Sequence, residues 1–169
     1  MSDESKRDAE YWDQVEEATE LLQEHNFQDA LHALRDVIKA NPQNPYAYYF
    51  LGHALYELGQ LEPARDAYRA AVRLSPAYLG ARVALSHTLR MLGDLRGAIE
   101  EGEKALKQAP NDGDVFFALG MAHAERGDKE AARRYLHKFL DSRPEFEAAQ
   151  EARAVLAEIE REDEDDDVN

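Results

Sequence analysis

The 169-residue chain contains no cysteine. That excludes disulfide staples and thiolate-bound metals and suits a reducing compartment. Cations are scarce: 20 Lys and Arg stand against 35 Asp and Glu, a net charge of −15. Phosphate recognition needs clustered cations, so nucleic acid is not an expected partner. Long apolar runs are missing too. No stretch approaches the roughly 20 apolar residues of a membrane span, and the charged opening Met1 to Glu10 has no secretory core. A cytoplasmic chain without membrane insertion is expected. There is no glycine-rich phosphate loop, no strand pattern and no nucleophile–base spacing, so no catalytic residue is assigned and no enzyme is expected. Adjacent acids such as Glu100 and Glu101 fall on ordinary solvated helix faces.

What is present is an uneven charge distribution and a strong internal period. Residues 1–44 hold eleven acidic and four basic side chains, and residues 158–169 hold eight and one. The stretch between them is close to neutral. Apolar residues make up 44% of the chain, enough for a folded core. Four of the six prolines, Pro42, Pro76, Pro110 and Pro144, are each 34 residues apart. The same step relates Ala30, Ala64, Ala98 and Ala132, and also Gly59, Gly93 and Gly127. It relates the small residues Ala18, Gly52, Ser86 and Gly120, and the aliphatics Ile38, Val72, Leu106 and Leu140. Five ladders at one period identify a repeat array.

Each ladder has a mechanical cause. The glycines end a first helix in the left-handed conformation that other residues adopt at a cost. The prolines stop a second helix from continuing. The small residue and the alanine let the paired helices approach closely. In the second repeat Tyr48, Leu51 and Leu55 form one helical stripe, and Ala64, Tyr68, Ala71 and Val72 form the facing one.

The segment Tyr48-x-x-Leu51-Gly52-x-x-Leu55, followed by Ala64-x-x-x-Tyr68 and Pro76, resembles the tetratricopeptide repeat, with Tyr for its usual Trp and Leu for its usual Tyr. The resemblance implies an all-α, right-handed superhelical solenoid of antiparallel helix hairpins. In that register a charged N-terminal segment (1–10) precedes four repeats, 11–44, 45–78, 79–112 and 113–146. A capping helix (147–160) and an acidic tail (161–169) follow, the run Glu158 to Asp167 being read as solvated and frayed. Glu17 stands where other repeats have Leu51, Leu85 and Leu119, as suits a terminal unit. Gly102 and Phe139 also depart from the usual pattern, and a glycine set against an oversized Phe one repeat later suggests compensating packing.

In this family the first helices of successive hairpins line a groove that receives a protein partner. The resemblance assigns to it Trp12, Val15, Thr19 and Leu22, then Tyr46, Tyr49, His53 and Tyr56. It goes on to Gly80, Val83, His87 and Arg90, and then Asp114, Phe117, Met121 and Ala124. Of these, Trp12, Tyr46, Tyr49, Tyr56 and Phe117 are expected as apolar anchors, with Val83 and Met121 beside them, because aromatic residues dominate binding hot spots. His53, His87 and Arg90 are expected to orient a bound backbone. Two alternatives compete for the aromatics: packing against neighbouring first helices, or an N-terminal segment folded over them. No metal site is expected, since His53 and His87 lack a third ligand, and no cofactor is implied.

The expected partner is thus another protein, engaged through an apolar or aromatic segment. The acidic C-terminus of a heat-shock chaperone is not expected. The positions of the carboxylate clamp hold Val15, Thr19, Phe50, Gly80 and Ala84, or one repeat later Tyr49, His53, Ala84, Asp114 and Ala118, and none is a cation. Two other roles remain open at this point. One is a chaperone similar to those of type III secretion translocators, suggested by length, acidity and Arg143-Pro144-Glu145-Phe146. The other is a self-associating structural scaffold.

Overall fold

The computed structural model describes residues 2–167, with side chains through Asp165. Among them are α1 (Asp3–Asp13), α2 (Glu16–Gln23), α3 (Phe27–Ala40), α4 (Pro45–Glu57) and α5 (Leu61–Leu74). The chain continues with α6 (Leu79–Met91), α7 (Leu95–Gln108), α8 (Gly113–Arg126), α9 (Lys129–Asp141) and α10 (Phe146–Asp167). The architecture is an all-α helical repeat. No helix among the described residues is long and apolar enough to cross a membrane. The chain forms two compact units, Met1–Thr88 and Leu89–Asn169, with the boundary inside α6.

Local chemistry recurs with the period. Gly59, Gly93 and Gly127 all have positive φ, from 73° to 85°, and His25 takes the fourth such position at φ 59°. Asn41, Ser75 and Ala109 leave their helices in non-helical conformation with φ of −141°, −136° and −136°. Each precedes a proline, whose ring disfavours helical geometry in the residue before it.

In the first unit Val15, Ala18, Leu34 and Ala47 form a buried cluster, with Val37, Ile38, Phe50 and Leu51 packed around it. Helix α3 thereby packs against both α2 and α4. In α4 the small residue Gly52 faces α5, where an added Cβ would lie 2.6 Å from Cε1 of the buried Tyr68. Removal of the Tyr68 phenol from water raises its pKa above the ordinary tyrosine value.

In the second unit Phe116, Met121, Leu136, Phe139, Ala152 and Leu156 form the core, with contributions from α8, α9 and α10. The last helix is longer than the sequence suggests. Residues assigned to a frayed acidic run from Glu158 onward continue α10 to Asp167, and residues 168–169 lie outside the described part. Cations on α9 meet this stretch. Lys129 Nζ donates to Asp163 Oδ1 at 3.0 Å and lies 3.2 Å from Glu162, and Arg133 donates to the other Asp163 oxygen. These contacts hold the Asp163 carboxyl below its usual pKa, Lys129 contributing most and then Arg133.

Candidate functional site

Seven of the ten candidate residues lie in the first unit, and their setting starts with a break in the chain. The sequence register puts Trp12 in the first helix of the first repeat. The structure puts it on the last turn of α1, a separate helix. At the break the Val15 N–H donates to the Trp12 carbonyl at 3.0 Å, three residues back rather than four. That frees the Tyr11 carbonyl, which accepts from Asn44 Nδ2 at 2.9 Å. Asn44 is 0% exposed and caps α4 with its other end: Oδ1 accepts from Tyr46 N–H at 3.0 Å and Ala47 N–H at 3.2 Å. One amide thus ties the end of α1 to the start of α4 and satisfies backbone groups at both.

With α1 held there, aromatic rings gather on α4. Trp12 stacks on Tyr46 with centroids 4.4 Å apart and meets Phe50 edge-on at 5.8 Å. Tyr46 Oη donates to Asp8 Oδ1 at 2.5 Å. Burial raises the Tyr46 pKa, and the Asp8 hydrogen bond adds to this because it favours the protonated phenol. Tyr49 lies 5.1 Å from Phe50, 5.9 Å from Tyr68 and 4.9 Å from Tyr78. Tyr78 also meets Tyr46 edge-on at 5.3 Å. Most of these rings are half-buried, while Trp12 stays 44% exposed. Of the two alternatives that sequence left open for the aromatics, the N-terminal segment folding over them is the one these contacts resemble. The rings pack on one another, and the N-terminal helix lies over part of them.

Tyr78 is the residue that sequence reasoning missed. It stands 34 positions from Asn44 and from Asp112, both of which cap helices with their side chains. An aromatic at a cap position gives up that hydrogen bond. That break in the cap ladder was a usable signal.

The remaining candidates divide. Tyr56 Oη and His87 Nε2 are hydrogen-bonded to each other at 3.0 Å, and His53 Nε2 approaches Glu57 at 3.6 Å. Val83 is half-buried on α6. Three expectations need correction in the second unit. Met121 is 6% exposed and belongs to the core cluster, because α10 stacks on α8 and α9 and covers it. Phe117 packs against that same cluster, 4.7 Å from the Phe139 ring. Arg90 is buried and ion-paired with Glu125 of α8, which engages a guanidinium expected to meet a partner. Val15 and Leu22, also expected on the groove, are buried as well.

Models of the tetratricopeptide repeat match residues 15–78, 64–113 and 89–156. The chain belongs to the tetratricopeptide repeat family. It is 32% identical over 114 residues to anaphase-promoting complex subunit 7 of Arabidopsis thaliana, matching 63% of this chain and 20% of that one. It is 28% identical over 130 residues to a TPR repeat-containing protein of Methanocaldococcus jannaschii, covering 76% and 22%. The chain thus spans about a fifth of the length of these relatives. Among solved structures, YrrB, described as a TPR protein with an unusual peptide-binding site, shares the fold with a TM-score of 0.72. Its sequence identity is 24%, over 81% of this chain and 71% of that one.

Proposed function

We propose that this tetratricopeptide protein is an interaction scaffold whose aromatic cluster on α4 receives an apolar or aromatic segment of a partner protein. The observation that carries the reading is the set of five rings, Trp12, Tyr46, Tyr49, Phe50 and Tyr78, joined by centroid distances of 4.4 to 5.8 Å. The hairpin stripe of the second repeat uses Tyr48 and Tyr68, and Tyr46 and Phe50 also pack on the buried first-unit cluster, which leaves Trp12, Tyr49 and Tyr78 as rings beyond those needs. Half-exposed aromatic surface beyond that requirement is the commonest energetic centre of protein interfaces, at about 2 kcal/mol or more for a hot-spot ring. The peptide-binding site ascribed to YrrB is consistent with such a role.

The test is an affinity pull-down from native extract with the wild type, Trp12→Ala, and a double variant of Tyr49→Ala and Tyr56→Ala. Circular dichroism of each variant controls for folding. A protein retained by the wild type and lost by both folded variants supports the site. Equal retention by all three places binding elsewhere and removes the proposal.

A further inference from the structure

A second surface, lined by none of the aromatic rings, lies on the first hairpin. There α2 and α3 enclose a groove of about 900 Å³. Its floor is apolar and small, with Ala18, Leu21, Ala33 and Val37. One bank carries Glu17 from α2, and the other carries Asp29 and Asp36 from α3 with His32 between them.

The repeat explains why the groove is there. One period on from Leu21 and Val37 stand Leu55 and Ala71, and both are buried. Two periods on stand Leu89 and Ala105, again buried. Leu51, the counterpart of Glu17, packs into the cluster that α3 contributes to. In the first unit α3 packs on α4, and in the second α7 packs on α8, so a second helix regularly seats against the first helix of the next hairpin. Among the described residues, no helix takes the corresponding place on the first hairpin. Helix α1, which could have filled it, goes instead to α4.

We propose that this groove receives an amphipathic helix of a partner protein, with small and aliphatic residues on its seated face and Lys or Arg along both flanks. The small floor residues allow a helix to approach closely, and the acidic banks select the sign of its flanks. A second copy of this chain presenting its last helix is a poor fit. Residues 158–169 hold eight acidic side chains and one basic, against a region, 1–44, with eleven and four. The proposal is independent of the aromatic cluster.

The probe is a synthetic 18-residue helix with Leu and Ala on one face and Lys on both flanks, paired with a twin bearing Glu in place of Lys. Each is titrated into the full chain by fluorescence anisotropy, with amide shifts mapped by NMR. The Lys helix is expected to bind and to shift Leu21, Ala33 and Val37. Combining Glu17→Lys with Asp36→Lys, both at exposed positions, should weaken it about tenfold and admit the Glu twin, since reversed rim charges act on both probes with opposite sign. Tyr49→Ala should leave the affinity unchanged. No binding of the Lys helix, equal binding of the twins, or shifts centred on Tyr46 and Tyr49 would each overturn the proposal. So would self-association in light scattering that is lost in the charge-reversed variant, because the seat would then belong to a second copy.

Discussion

Adding one methyl group at Gly120 probes how closely the two helices of a hairpin must approach. A Cβ at this position would lie 2.6 Å from Cδ2 and 2.7 Å from Cγ of Leu136, and 3.2 Å from its backbone N. Leu136 is 0% exposed, so its side chain has no empty space to turn into, and its backbone can retreat only if α9 moves. Overpacking of this kind costs about 1–3 kcal/mol. Replacing a mid-helix glycine by alanine favours the helix by about 1 kcal/mol. The expected net loss for Gly120→Ala is about 0–2 kcal/mol, which in a chain of this size lowers Tm by up to roughly 8 °C. Truncating the facing side chain separates clash from propensity. Leu136→Ala alone should cost about 2–5 kcal/mol. In the double variant the new methyl enters the vacated space, so the combined loss should fall short of the sum by about 1 kcal/mol or more. Thermal and urea unfolding of the four proteins gives the cycle. A Gly120→Ala variant that melts higher than wild type, or losses that add within about 0.5 kcal/mol, would refute the argument.

Two further outcomes follow from the geometry. His25→Gly should stabilise the chain by roughly 0.5–1 kcal/mol, because a left-handed non-glycine residue costs more than the extra chain entropy of glycine; unfolding in urea that shows no gain would contradict this. The Asp163 carboxyl, held low by Lys129 and then Arg133, should titrate in NMR below the ordinary aspartate value of about 4 and return toward it when both cations are replaced by Ala. The sign follows from the lowered pKa: the α9–α10 contact is fully present above the unfolded-state value and is lost as pH falls through the folded one. An unchanged midpoint in the double Ala variant would show that the cations are not the cause.

The sequence made the hairpins legible because their determinants repeat. A glycine that needs positive φ, a proline that stops a helix and a small residue facing a large one each recur at 34 residues, and none depends on distant parts of the chain. Gly52 over Tyr68 and Gly120 over Leu136 are the same contact in two repeats, read from a ladder of small residues. What the register hid was what happens at the ends. Trp12 occupies a groove position in the repeat count, yet the break before Val15 places it on another helix. Met121 and Phe117 occupy groove positions too, but α10 covers their side of α8. The Asp163 pairings could not be read from the local charge run, because their cations lie thirty or more residues upstream on α9.

In a repeat array, residues that obey the period are already accounted for by packing, so a residue that breaks it asks for a second reason. His25 has a bland one, since histidine tolerates the left-handed conformation better than most residues. Tyr78 replaces a helix cap with an aromatic ring, and the ring is found against Tyr46 and Tyr49. Trp12 belongs to a helix outside the repeat, and its ring completes the same cluster. Glu17 replaces a leucine, and it stands on the bank of the open groove. Two breaks thus meet at the aromatic surface proposed to hold a partner, and a third marks the acidic seat proposed for a basic helix. Val37 is already accounted for by the first-unit core it packs against. Solubility alone would account for Glu17, but it would not leave Leu21 half-exposed beside it, and that leucine is the reason to treat the seat as a surface made for contact.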